Sequence, residues 1–147
     1  MTRSESGFSL IELLIAMSIL AVGLLATVTM QATALQRDGF AQRTTEAAAL
    51  ARGAMDDLMS RPGGDVFFQT VVAAPGIVFD LDPNTAATTQ IIQGATYSAT
   101  VVVTPNASIS VGGAAPVSVP NLTQVILTVT GGGRAATVTE FKRAVGT

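Results

Sequence analysis

The chain has no cysteine, no histidine and no tryptophan. Without cysteine there is no disulfide, no thiolate nucleophile and no cysteine zinc site. Without histidine, the commonest general base and the commonest transition-metal ligand are missing too. An enzyme is hard to assemble from what remains, so neither catalytic residues nor a cofactor nor a bound metal is expected. Charge is also scarce. Eight Lys and Arg stand against ten Asp and Glu, for a net charge of −2, and no segment gathers the basic residues into a run. The electrostatic footprint of a nucleic-acid binder is therefore absent, and nucleic acid is not an expected partner.

What the chain does have is apolar residues, 48% of 147, many of them within residues 8–30. That length supplies one domain with a single core. The organisation reads as an anchor followed by a domain. Residues 13–36 contain no charged side chain, and the run LLIAMSILAVGLLATVTM is about long enough to span a bilayer as a helix. Ahead of it, MTRSESG is hydrophilic and carries Arg3 with the amino terminus, which favours a cytoplasmic start and places the remainder outside.

One residue breaks the pattern. Glu12 lies inside GFSLIELLIAMSIL, where a carboxylate costs about 2.5 to 3.5 kcal/mol at a helix centre and so marks a function. An ordinary secretory signal, cleaved near Ala32-Thr33-Ala34, wants apolar residues there and a shorter run. A plain single-pass anchor explains the length but leaves the acid as an uncompensated penalty.

The sequence Gly7-Phe8-Ser9-Leu10-Ile11-Glu12 resembles the processing site of type IV prepilins and type II secretion pseudopilins, the class III signal peptides. In that family a membrane aspartyl protease cuts after the glycine on the cytoplasmic side and methylates the new amino terminus. The resemblance implies that Gly7 ends the leader, that Phe8 begins the mature chain and is N-methylated, and that Glu12 is its fifth residue. Glycine lets a protease hold the scissile backbone closely. After the cut, the ammonium of Phe8 and the carboxylate of Glu12 lie about one helical turn apart. Opposite charges in an apolar place attract strongly, and leaving either unpaired costs several kcal/mol. The family pattern therefore makes Glu12 an assembly key, pairing with the amino terminus of a neighbouring subunit and setting register.

Beyond residue 30 nothing breaks the helix until Pro62-Gly63-Gly64, so residues 8–60 are expected to form one helix of roughly 80 Å. Its second half carries Phe40, Thr44, Ala47, Ala51, Met55 and Leu58 at three- and four-residue intervals, a stripe expected to pack on a sheet. Arg43 with Glu46, and Arg52 with Asp56, have spacings that pair on a helix surface. Gly23, Gly39 and Gly53 mark places for bends, while Ala16, Ala21, Gly23 and Ala26 permit close helix packing. No proline precedes Pro62, unlike the apolar half of many major pilins. Ala21-Val22-Gly23-Leu24-Leu25 resembles the minor pilin group called PilV and is similar to some minor pseudopilins.

From residue 65 the pattern changes to short β-branched and aromatic runs between turn residues. Residues 97–103 alternate, placing Tyr97, Ala99, Val101 and Val103 on one face. Residues 122–130 alternate too, with Val125, Leu127 and Val129 together, and Gly131-Gly132-Gly133 turns them into a strand over residues 135–143. Further strands are expected at residues 66–72 and 77–81, and residues 108–119 read as a loop with limited pairing. The fold class is α+β. The type IV pilin-like arrangement is a cytoplasmic leader (1–7), a transmembrane and filament-core half-helix (8–36), an amphipathic half-helix (37–61) and a β-rich head (62–147) with an antiparallel sheet.

Other motifs carry less. Asp80, Asp82 and Asn84 alternate as at the start of a calcium loop; Thr85 and Ile91 stand where an EF-hand needs glycine and glutamate, which excludes that loop and leaves another calcium geometry, as in some pseudopilins, open. The three glycines lack the Gly-Lys-Ser/Thr of a phosphate loop. Asn106-Ala107-Ser108 and Asn121-Leu122-Thr123 match glycosylation sequons. The expectation is a minor pilin or pseudopilin, held in the inner membrane with its head periplasmic and then assembled into a filament. Its partners would be the prepilin peptidase/methyltransferase, other pilin-type subunits, the inner-membrane assembly platform and, before assembly, membrane lipid. The alternative is a membrane-anchored or secreted binding module, such as an adhesin, whose first segment only targets it.

Overall fold

The computed structural model describes residues 9–110 and 112–143. Helix α1 (Leu10–Ser60) is followed by a short α2 (Val66–Gln69) and seven strands. These are β1 (Val72–Phe79), β2 (Gln90–Ile92), β3 (Ala95–Thr104), β4 (Ser108–Ile109), β5 (Val117–Ser118), β6 (Leu122–Gly131) and β7 (Arg134–Arg143). This is a long N-terminal helix followed by an antiparallel β-sheet head, as the α+β pilin-like reading expects. The chain divides into two compact units, Met1–Phe40 and Ala41–Thr147.

In the first unit every described helical side chain is exposed, including Leu14, Leu20, Leu24 and Val28. The few hydroxyls are internally satisfied. Ser18, Thr27 and Thr33 donate to the carbonyls of Leu14, Gly23 and Thr29 at 2.8, 2.9 and 3.0 Å. Such back-bonding lets a hydroxyl sit in lipid or an apolar bundle without needing water.

In the second unit the sheet runs β1-β3-β6-β7, with β2 pairing β3 beyond β1, and every pairing is antiparallel. Because strand side chains alternate, β3 buries Tyr97, Ala99, Val101 and Val103 while β6 buries Thr123, Val125, Leu127 and Val129 on the same face. Cross-strand pairs such as Val101 with Leu127 tie the two together. Ala47, Ala51, Met55 and Leu58 of α1 cover this face, joined by Phe68. Two glycines are required by close approach. A Cβ on Gly131 would collide with the Tyr97 ring, and one on Gly76 would lie 2.7 Å from the Val101 carbonyl oxygen.

Three expectations need correction. The helix stripe begins to be buried at Ala47, whereas Phe40 is 47% exposed and Thr44 is exposed. The sheet ends near that level: Arg43 donates to the Gly132 carbonyl in the β6–β7 turn at 3.3 Å. Of the strand expected at residues 66–72, only Val72 is in a strand, as the first residue of β1. Asp65 caps α2 by accepting from the Phe67 backbone N–H at 2.9 Å, and this local bond converts the apolar run into one helical turn that buries Phe68. The strand expected at residues 77–81 starts earlier, at Val72, and stops at Phe79, with a register shift between Val72 and Ile77. β2 was not expected. The region from residue 108 to 119 does show only limited pairing, β4 with β5.

Candidate functional site

Gly7 and Phe8 lie outside the described residues. Glu12 stands in the first turn of α1, exposed, where its own backbone N–H donates to the Ser9 carbonyl at 3.1 Å. A carboxylate is favoured at a helix N-terminus, where free N–H groups concentrate positive charge. Along the helix the next charged residue is Arg37, about 37 Å away at the standard rise. No cation of the described part of the helix is therefore in reach of Glu12. The turns after it present Leu13, Leu14, Ile15 and Met17 without cover from the chain. This segment is long and apolar enough to cross a membrane.

Residues 2–28 match the family model described as the prokaryotic N-terminal methylation motif. The chain carries a type IV prepilin-type signal. The motif supports a pilin- or pseudopilin-type precursor, and it implies processing by prepilin peptidase and assembly with other pilins. The uncovered apolar helix beside a prepilin-type signal fits an inner-membrane anchor. Comparison with curated proteins and with solved structures finds no match.

The head of this prepilin-type chain brings together groups that sequence spacing does not reveal. Glu46 does not turn to Arg43. It accepts from the Tyr97 hydroxyl at 2.8 Å and from Gln42 Nε2 at 3.3 Å, and Gln42 also donates to Gln93 at 2.7 Å. Burial raises the pKa of Tyr97 above that of an ordinary tyrosine; the hydrogen bond to Glu46 and its charge push the same way, against Arg43. The helix-surface ion pair among the described residues is Asp57 with Arg61 at 4.0 Å, in place of the expected Arg52 and Asp56.

At the other end, Lys142 donates to the Met59 carbonyl at 2.5 Å and to the Arg61 carbonyl, closing the C-terminus of α1. Its ammonium lies 4.9 Å from the centre of the Phe68 ring. Thr123 donates to the Phe68 carbonyl at 2.9 Å. Helix end, α2 and the last strands are thus joined by one cation and one hydroxyl.

The alternating acids are used locally. Asp80 Oδ1 accepts from the Asp82 backbone N–H at 2.9 Å and Asp82 Oδ1 from that of Asn84 at 3.3 Å, two successive Asx turns. Asn106 Oδ1 accepts from the Asn121 N–H at 3.1 Å, so the first sequon side chain ties the loop after β3 to the residue before β6. Among the described residues no group of three or more Asp or Glu gathers as a metal site would need.

Proposed function

We propose that this chain is a structural subunit of a type IV pilus or a type II secretion pseudopilus, minor rather than major, with no catalytic activity of its own. The observation that carries the reading is a lone carboxylate, Glu12, in an uncovered apolar helix that carries the N-terminal methylation motif. The helix without proline before Pro62 supports the minor assignment. The leader lies in the cytoplasm and the head in the periplasm. The peptidase hydrolyses the Gly7–Phe8 bond, and the amine released on Phe8 is methylated. The ammonium of one subunit and the Glu12 carboxylate of another then neutralise each other as the helices leave lipid for the filament core.

Register follows from cost. A subunit docked out of step leaves an ammonium and a carboxylate unpaired in apolar surroundings, a penalty of several kcal/mol. Replacing Glu12 by alanine is expected to leave cleavage and methylation intact but to lower recovery in sheared filaments about tenfold or more, as a loss above 1.4 kcal/mol requires. Immunoblots of cell and filament fractions read this. Normal incorporation of Glu12→Ala contradicts the register role.

A further inference from the structure

The charged residues of α1 after Ala41 are Arg43, Glu46, Arg52, Asp56 and Asp57. Arg43 is used on the Gly132 carbonyl, Glu46 on Tyr97 and Gln42, and Asp57 on Arg61. Arg52 and Asp56 are exposed, and among the described residues neither side chain has a hydrogen bond or an ion pair. Order explains the difference. On a helix, an acid four residues ahead of a base pairs better than the reverse, because that order also agrees with the helix dipole. Asp57 and Arg61 have the favourable order; Arg52 and Asp56 have the unfavourable one.

This open pair lies on the side of α1 that turns away from the sheet. Ala47, Ala51, Met55 and Leu58 face the core, while Thr45, Ala49, Arg52, Gly53 and Asp56, which share a side at three- and four-residue spacing, are all exposed. The Thr45 hydroxyl on that side is already satisfied by the Ala41 carbonyl at 3.0 Å, so it needs no water. In the filament-subunit reading every subunit inserts with the same orientation, so a neighbouring α1 runs parallel. Between parallel copies set level, Arg52 faces Arg52 and Asp56 faces Asp56, like against like. A step of four residues, about 6 Å, instead brings Arg52 of one copy level with Asp56 of the next. The processed amino terminus at Phe8 and Glu12 repeat this order, base first and four residues apart, so in sequence terms one step serves both pairs.

We propose that the uncovered side of α1 in the head receives the same side of α1 from a second copy of this chain, parallel and displaced by four residues, with Arg52 of one copy paired to Asp56 of the other. Each copy then offers Arg52 to one neighbour and Asp56 to another. Head-to-tail contacts of this kind build open chains, whereas a two-fold contact stops at a dimer. The parallel direction rests on the filament-subunit reading; the open charge pair stands on the head alone.

The absence of cysteine makes the test clean. Ala49→Cys and Gly53→Cys are made in separate, differently tagged full-length copies, produced together in the native host and oxidised before lysis. Both sites are exposed, a Cβ on Gly53 meets nothing within 4 Å, and both charges are kept. The four-residue step sets position 49 of one copy level with position 53 of the other, so the pair is expected to cross-link well above either variant alone. Arg52→Glu in the Ala49→Cys copy sets an acid against Asp56 of the other copy and should lower the yield about threefold. Adding Asp56→Arg to the Gly53→Cys copy should restore it. A mixed yield no better than the single variants, no loss with the first substitution, or no recovery with the second overturns the contact. The intact mass of the chains in the same sample separates this contact from the reading it rests on. Filament chains that start at N-methyl-Phe8 without the cross-link reject the helix contact only; the cross-link in chains that all keep residues 1–7 rejects the filament reading only.

Discussion

Lys142 holds two helix-terminal carbonyls and overlies an aromatic ring, so its ammonium replaces the water that would otherwise satisfy the end of α1. Lys142→Met keeps the apolar stem and removes the donors, which is expected to cost about 2 kcal/mol, the scale of hydrogen bonds from a charged group. A shift of the denaturant midpoint of the purified chain reads that cost; an unchanged midpoint contradicts the cap. Tyr97 offers a second test at this scale because it is the only tyrosine and there is no tryptophan, so phenolate absorbance belongs to it alone. Its folded pKa is raised, so the stability it contributes is whole below its unfolded value of about 10 and is lost as pH rises through the folded value. Phenolate formation is expected at higher pH in the folded chain than in denaturant. Equal midpoints contradict the half-buried Tyr97–Glu46 bond. Neither Lys142 nor Glu46 could be assigned these partners from spacing. Each partner is brought near by sheet register across more than fifty residues, while the neighbours visible in sequence, Arg43 for Glu46 above all, point elsewhere.

The elements divide by how much of their cause is local. β3 and β6 were legible because one face of each is buried, and burial writes a period of two into Tyr97, Ala99, Val101 and Val103 and into Val125, Leu127 and Val129. α1 was legible because no breaker precedes Pro62. β2 has three residues, too few for a period, and exists because β3 extends beyond β1 and offers an edge. At residues 66–72 β-favouring composition lost to one capping bond from Asp65, a signature that lay in plain sight after Pro62-Gly63-Gly64. The helix stripe was drawn too long because periodicity shows a face but not where the covering sheet ends. Met55, 1% exposed, lies within the covered part, so Met55→Ala is expected to cost about 3 kcal/mol of head stability. Thermal unfolding followed by circular dichroism measures it; a loss below 1 kcal/mol contradicts the packing of this turn on the sheet.

At the scale of the molecule, two kinds of surface need two solvents. The core residues all fall within Ala41–Thr147, whereas no described residue of the first unit is buried and the unit is apolar over a membrane's thickness. Lipid before assembly, and neighbouring helices afterwards, are the covers that the prepilin-type signal implies for it. Assembly as proposed requires that cutting that signal create the ammonium that pairs with Glu12. The direct measurement is the intact mass and N-terminal sequence of the chain recovered from filaments of its native host. A start at Phe8 with one added methyl group on its nitrogen is the predicted result. A functional chain in filaments that retains residues 1–7, or starts elsewhere than Phe8, would contradict it.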